Sequence, residues 1–220
     1  MKEVLKHLDS RKTALGILLV WLVHLSGLIG ILAGAADWFV PKTPLNLLTS
    51  AALFLWIFPL DTFKKAGLFA LIAIGGIAAE WIGVHTGYLF GSYSYGAHLG
   101  PKLDGIPYLI GVNWALLSMA SGCVSGYWNL PKTGRILIAG LLMVGLDLFM
   151  EKLAPVMDFW TFEGGTPPVW NYICWFLLAL CFQWAYQRLE IRGNRKFSLH
   201  LLSAQFVFFI VLYQFYPGLP

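Results

Sequence analysis

The sequence predicts an all-α protein, a polytopic bundle of about seven transmembrane helices that forms one domain over residues 1–220. Of the 220 residues, 58% are hydrophobic and only 12% are charged, and the mean hydropathy is +0.70. Soluble domains carry roughly 25% charged residues, so this composition indicates an integral membrane protein. The apolar runs are continuous and long enough for spanning helices, whereas a membrane β-barrel would show short alternating segments.

Seven apolar runs are the candidate spans. The first run is too long for a removable signal peptide and lacks a small-residue cleavage site, so we expect it to form the first span. Pro59 closes the second and shortest run, and the sixth begins near Pro168. The predicted spans are residues 14–36, 44–60, 66–90, 106–129, 134–154, 168–188 and 198–216.

The basic residues orient the predicted bundle. Only Lys42, Lys102 and Lys152 lie on one side, and the other Lys and Arg residues lie on the opposite side. Because cytoplasmic loops are rich in Lys and Arg, we expect a cytoplasmic N-terminus and an external C-terminus. The net charge of +4 follows from this asymmetry and does not indicate nucleic-acid binding. The basic residues predicted to be cytoplasmic are Lys2, Lys6, Arg11, Lys12, Lys64, Lys65, Lys132, Arg135, Arg188, Arg192, Arg195 and Lys196.

Three carboxylates within the spans are the leading functional candidates. An ionisable side chain in hydrocarbon costs roughly 2.5 to over 10 kcal/mol and commonly marks a functional site. Glu80 lies in the third span, whereas Asp147 and Glu151 lie four residues apart in the fifth and so share a helix face. At least one of this pair should hold its proton, which would give an acid/base pair. The alternatives are a structural hydrogen bond for Glu80 and an interfacial pairing of Glu151 with Lys152 or Lys102.

Helix order brings further polar side chains to the level of these carboxylates, in the outer half of the bundle. Asn113 lies about two turns inside the fourth span, and residues 170–172 enter at the start of the sixth. The inner half shows no comparable set. The loop from Gly87 to Pro107, rich in glycine and aromatic residues, either covers this cluster or forms an interfacial aromatic belt.

The spacing of other reactive residues argues against several chemistries. The histidines lack HxxxH spacing, so the ligand set of a membrane di-iron hydroxylase is missing, and His85 fits a structural hydrogen bond better than a metal site. The last span contains no lysine for a retinal Schiff base. Cys123, Cys174 and Cys181 lack CxxC spacing and are expected to be small buried hydrophobic residues. We predict neither a metal nor a cofactor.

The run Glu80-Trp81-Ile82-Gly83-Val84-His85-Thr86-Gly87, followed by Phe90-Gly91-Ser92-Tyr93-Ser94-Tyr95, carries a family resemblance. It resembles the signature of the membrane carotenoid 1,2-hydratase family, of the bisanhydrobacterioruberin hydratase and γ-carotene 1′-hydratase type. The similarity covers about residues 75–180. It continues through Gly105-Ile106-Pro107, Asn113-Trp114, Asp147, Glu151, Pro155, Trp160, Pro167, Asn171 and Trp175.

The resemblance implies an enzyme of the bacterial or archaeal cell membrane that adds water across the terminal C1=C2 bond of an acyclic carotenoid, without a cofactor. The substrate would be lycopene, γ-carotene or a C50 analogue that enters from the bilayer, with water and membrane lipid as the other partners. We expect Glu80 or Asp147 to protonate C2, and Glu151 to tune Asp147 or activate water. Asn113 and Asn171 would position that water. The aromatic residues expected to stabilise the cation are Trp81, Trp114, Tyr93, Trp170 and Tyr172.

Two other functions fit the same residues. One is a non-catalytic membrane protein that binds a carotenoid or lipid, in which the acids hydrogen-bond a polar group. The other is a small proton-coupled transporter, since intramembrane acids also build proton relays. The clustering of the acids on one side and the lack of a detectable internal repeat argue against the transporter.

Overall fold

Seven long helices form the bundle, and each overlaps one predicted span. The structure, a computed structural model, describes residues 2–216 and the side chains from residue 9 onward, so those of Lys2 and Lys6 lie outside the described residues. The long helices are α1 (Lys2–Leu32), α3 (Thr43–Ile57), α4 (Phe63–Thr86), α5 (Tyr108–Val124), α6 (Lys132–Leu153), α7 (Val169–Arg188) and α8 (Arg195–Phe215). A short helix, α2 (Ala36–Phe39), and a 3₁₀ turn, Val40–Lys42, link α1 to α3, and a second 3₁₀ turn, Ser125–Tyr127, follows α5.

Five helical segments of the described chain are long and apolar enough to cross a membrane. The helix α3, with 15 residues, and the helix α6 are not among them. The chain is therefore an all-α bundle of membrane-protein character, and the count of seven spans and their orientation stay predictions. The five segments are Asp9–Leu32, Phe63–Thr86, Tyr108–Tyr127, Val169–Arg188 and Arg195–Phe215.

The helix α5 is the centre of the bundle. It packs against α3, α4, α6, α7 and α8, and 83% of its most apolar window is buried, compared with 28–39% for the other four candidate spans. Small residues permit this close packing on all sides. A Cβ atom at Gly111 would lie 2.5 Å from the carbonyl oxygen of Ala73, so glycine is what lets the backbones of α4 and α5 approach.

Local signals fix where the helices begin and end. The side chain of Asn194 accepts a hydrogen bond from the Phe197 amide at 2.9 Å and starts α8. The helix α4 ends at Thr86, four residues before the predicted end of the third span. Gly87 follows with φ of +67°, a left-handed conformation that ends helices, and its amide donates to the Gly83 carbonyl at 2.9 Å.

Two short β-ribbons cover one end of the bundle. The strands β1 (Tyr93–Tyr95) and β4 (Trp160–Phe162) pair in antiparallel fashion, with Tyr93 opposite Phe162 and Tyr95 opposite Trp160. We call this pair the aromatic ribbon. The strands β2 (Lys102–Leu103) and β3 (Ile106–Pro107) form the second ribbon. Phe90 and Tyr93 of the loop between α4 and α5 are buried, so this part of the loop covers the bundle end, whereas Tyr88 is exposed.

Candidate functional site

Beneath the aromatic ribbon, three buried carboxylates come from two helices. Glu80 of α4 is 3% exposed, and Asp147 and Glu151 of α6 are 0% and 3% exposed. Each is far below the exposure that a solvated acid would show. Burial of this degree requires hydrogen-bond partners or a neutral side chain, because an unpaired buried charge is costly. The partners of the three groups differ sharply.

Glu80 accepts hydrogen bonds from three side chains. The hydroxyl groups of Tyr93 and Tyr95 both donate to its Oε2 atom, the latter at 2.7 Å. The indole Nε1 of Trp114 donates to Oε1 at 2.9 Å. Both carboxylate oxygens are therefore held by donors, two from the aromatic ribbon and one from the central helix.

The local structure explains why these donors reach Glu80. Side chains two residues apart in a strand point to the same face, so Tyr93 and Tyr95 act together. Gly83 lies almost one helical turn beyond Glu80, and a Cβ atom there would lie 2.9 Å from the Tyr93 hydroxyl oxygen. Burial and the nearby Glu80 carboxylate raise the pKa of both tyrosines above the ordinary range, so their hydroxyl groups stay protonated donors.

Glu151 accepts two hydrogen bonds. Trp160 Nε1 of β4 donates to its Oε2 at 2.8 Å, and Asn171 Nδ2 of α7 donates to its Oε1 at 2.8 Å. The alternative pairing with lysine is not found. Lys102 Nζ instead donates to the Tyr95 carbonyl at 2.5 Å, and Glu151 is buried.

Asp147 lies one helical turn from Glu151. Neither of its carboxylate oxygens has a hydrogen-bond partner among the side chains from residue 9 to 216. An ionised group in this position would be a buried charge without compensation. The arrangement therefore suits a neutral acid.

Glu80 and Glu151 line one small cavity. Its volume is about 20 Å³, which is close to what one buried water molecule requires. Asn113 and Asn171 supply amide groups to its wall. The remaining lining residues are apolar or aromatic: Phe90, Tyr93, Tyr95, Ile110, Met150, Trp160, Phe162 and Trp175. The cavity thus brings two carboxylates and two amides together inside an aromatic shell.

The structure brings together six of the ten predicted site residues around this cavity. Glu80, Glu151, Asn113, Asn171 and Tyr93 line it, and Trp114 donates to Glu80 from just behind. Asp147 is buried beside Glu151 but does not line the cavity.

Three predicted aromatic residues lie outside the cavity wall. The exposed indole of Trp81 donates to Asp104 at 2.7 Å and stacks on His85, and the exposed indole of Trp170 donates to the Tyr88 carbonyl at 2.8 Å. Tyr172 also is not part of the wall. Each of the three is adjacent in sequence to a cavity residue, and neighbours on a helix point about 100° apart. Being adjacent in sequence to a cavity residue therefore does not bring these three side chains into the cavity wall.

Other residues near the carboxylates are part of the family resemblance but were not predicted as site residues. Tyr95 follows Tyr93 at the two-residue period of a strand, and this signal could have found it. Trp160 faces Tyr95 only because β1 pairs with β4 across 65 residues of chain, which no local pattern shows. Trp175 stacks on Trp114 with ring centroids 3.8 Å apart.

A second buried polar set lies between α5 and α7, whereas the sequence predicts no comparable set in the inner half of the bundle. Gln183 and Gln187 of α7 are buried, and Gln183 Nε2 donates to the Ser118 carbonyl at 2.8 Å. Gln187 Nε2 contacts the Ser125 hydroxyl at 3.3 Å. These groups are uncharged, so they are less costly in a bundle and stand out less in a sequence. No group of three or more His, Cys, Asp and Glu side chains within residues 9–216 is arranged to hold a metal ion.

Comparison with known proteins adds to this geometry. Residues 42–217 match the family described as "Carotenoid biosynthesis protein". The chain is 30% identical over 173 residues to the bisanhydrobacterioruberin hydratase of Haloarcula japonica, a match that covers 71% of this chain and 57% of that relative. The chain thus spans little more than half the length of this relative. No solved structure matches. Because the family match extends over most of the chain, this protein belongs to the carotenoid biosynthesis protein family.

Proposed function

We propose that the chain is a cofactor-independent carotenoid 1,2-hydratase. It adds water across the terminal C1=C2 bond of an acyclic carotenoid and gives a tertiary alcohol at C1. The observation that carries the proposal is the cavity of about 20 Å³, which sets two carboxylates around the volume of a single water molecule. Membership of the family and the hydratase name of the relative support the same reaction.

The first step is transfer of a proton from a carboxylic acid to C2. This forms the new C–H bond from the π electrons of the alkene and leaves a tertiary cation at C1. We assign the acid to Glu151 because it accepts fewer hydrogen bonds than Glu80 and lies one turn from Asp147.

The second step is attack of water on C1. The water oxygen supplies the electron pair of the new C–O bond, and the Glu80 carboxylate takes the released proton. Asn113 and Asn171, both in the cavity wall, would orient the water molecule. Return of the proton from Glu80 to Glu151 through the next water molecule restores the starting state, so the sum is addition of one water. Aromatic faces around the cavity stabilise the cation.

The substrate is lycopene, γ-carotene or a C50 analogue with the same terminal group, and membrane lipid surrounds the protein. We place the enzyme in a bacterial or archaeal cell membrane as one transmembrane domain, residues 1–220. Asp147 has no contact with the cavity and acts through Glu151 as a positioning residue.

The source of the oxygen atom tests the reaction. In a lycopene-accumulating host that expresses the chain, growth in ¹⁸O-water should give a hydroxylated carotenoid whose mass carries the label. The host without the chain is the control and should form no such product. Label arriving from ¹⁸O₂ in place of water would contradict hydration.

One observation favours a second candidate, a proton-coupled transporter. The amides and hydroxyl groups between α5 and α7, Gln183 and Gln187 among them, extend polar character beyond the carboxylates. A transporter would leave the pigment composition of the host unchanged, so chromatography of the pigments from the same host separates the two functions.

The topology prediction concerns all seven helices. Since the basic residues cluster on one side, reporter fusions at Lys64 and Gly193 are expected to report the cytoplasm, and a fusion at Gly164 is expected to report the outside. The opposite location at any two of these positions would refute seven spans with a cytoplasmic N-terminus.

A further inference from the structure

Two more cavities continue from the carboxylate cavity toward the side of the bundle. The middle cavity has a volume of about 80 Å³ and shares Ile110, Asn113, Met150 and Trp160 with the carboxylate cavity. The outer cavity has a volume of about 240 Å³. It shares Thr43, Asn46, Phe159, Phe208 and Phe209 with the middle one. The shared lining residues place the three cavities next to one another in a row, with those side chains between them.

The outer cavity opens on the lateral surface between α1 and α3. Val23 and Gly27 of α1 form one side, Thr49 of α3 forms the other, and the exposed residues Trp38 and Leu45 stand at the mouth. In a membrane-spanning bundle, a lateral surface faces lipid rather than water. The mouth is therefore open to solutes of the bilayer.

The mouth also has the character of a membrane–water boundary. Lys42 Nζ lies 3.4 Å from the centroid of the Trp38 ring and donates to the Trp38 carbonyl at 2.6 Å. Tryptophan and lysine side chains are typical anchors at this level of the bilayer.

We propose that this lateral passage holds the polyene chain of the substrate and delivers its terminal alkene to the carboxylates. The proposal rests on the proposed function for the identity of the ligand. The inner cavity alone has room for about one water, so the reacting end would lie in the adjoining part of the middle cavity, near Asn113 and Trp160. The outer walls, which include Phe208, Phe209 and Ile31, match an apolar hydrocarbon chain.

The test narrows the passage without touching the carboxylates. A Cβ atom at Gly27 would meet only Phe208, at 3.5 Å, so Gly27→Phe fits the helix but fills the outer cavity. Thr49→Phe narrows the opposite wall. The matched control is Gly67→Phe in α4, where the added side chain meets nothing within 4 Å. Each variant is purified from lycopene-accumulating cells, and the retained pigment is measured by visible absorbance per mole of protein.

We expect Gly27→Phe and Thr49→Phe to retain at least about tenfold less lycopene, because overfilling an apolar site displaces its ligand. Gly67→Phe should retain the wild-type amount. Wild-type lycopene retention by both passage variants would overturn the proposal, and so would an equal loss in Gly67→Phe, since the loss would then not depend on the passage.

The amount of retained lycopene tests the passage independently of the hydration reaction. If the wild-type protein retains lycopene, the passage variants lose it and no substrate is hydrated, the passage stands and the hydratase function is wrong. That result would identify the chain as a carotenoid-binding protein.

Discussion

Glu80→Gln is expected to slow hydration at least about a hundredfold, the low end of what a general acid or base contributes. The amide keeps the shape of the side chain but cannot take a proton from the attacking water. Glu151→Gln should lose activity to a similar extent, since Glu151 is as deeply buried as Glu80 and lines the same cavity.

The geometry predicts that Glu80→Gln still folds. An amide oxygen placed toward Trp114 keeps that hydrogen bond, and the amide NH₂ group then faces Tyr93 and Tyr95, whose hydroxyl groups can rotate to accept. Membrane insertion should also survive, because an amide is less costly to bury than a carboxylate.

The matched control for Glu80→Gln is Glu163→Gln, the same change at an exposed position just after β4. Its rate should equal that of the wild-type enzyme. The measurement is conversion of lycopene per mole of membrane-inserted protein, followed by chromatography. Wild-type rates for both Glu80→Gln and Glu151→Gln at normal protein levels would exclude carboxylate catalysis.

Asp147→Leu is expected to stabilise the protein while it slows the reaction. Leucine has a similar size and removes two buried oxygens that lack partners within residues 9–216, a gain of about 1–3 kcal/mol. Hydration should slow, because Glu151 would lose the polar side chain that lies one helical turn away and contributes to its electrostatic environment. The readouts are the denaturation midpoint in detergent and the pH dependence of the hydration rate.

Two other variants make the test of Asp147 specific. Asp147→Asn keeps an unpartnered polar group and should show little stabilisation. Glu151→Leu should instead destabilise the protein, because Trp160 and Asn171 would each lose their acceptor, at a cost of about 1–3 kcal/mol apiece. A stability loss in Asp147→Leu equal to that in Glu151→Leu would show that Asp147 has a structural partner. An unchanged pH profile would exclude its action on Glu151.

The helices were predictable because apolar runs and prolines leave strong local signals. Every predicted span overlaps one long helix. The helix α4 ends at Thr86 rather than at residue 90 because Gly87 adopts the left-handed conformation. The helix α3 has only 15 residues, whereas a membrane-spanning helix needs about 20. The number of spans is therefore harder to derive from hydropathy than the number of helices.

The carboxylates were predictable for a different reason. A charged residue within an apolar run is costly wherever it lies, so Glu80 and Glu151 stand out without knowledge of the fold. Their partners do not stand out. Trp160 reaches Glu151 through a strand pairing that joins distant loops. Trp81 points away from its neighbour Glu80 because successive side chains on a helix point about 100° apart.

The pairing of Tyr95 with Trp160 has a consequence for how the acids meet water. Tyr95 donates to Glu80 and Trp160 donates to Glu151, so a single register of the aromatic ribbon holds donors for both. Short ribbons of this kind open as cooperative units rather than residue by residue. An opening of the aromatic ribbon that removes the Tyr95 donor from Glu80 therefore also removes the Trp160 donor from Glu151. The donor and the acceptor of the proton are hydrated together or kept dry together, which prevents a half-open state in which one of them exchanges protons with bulk solvent alone.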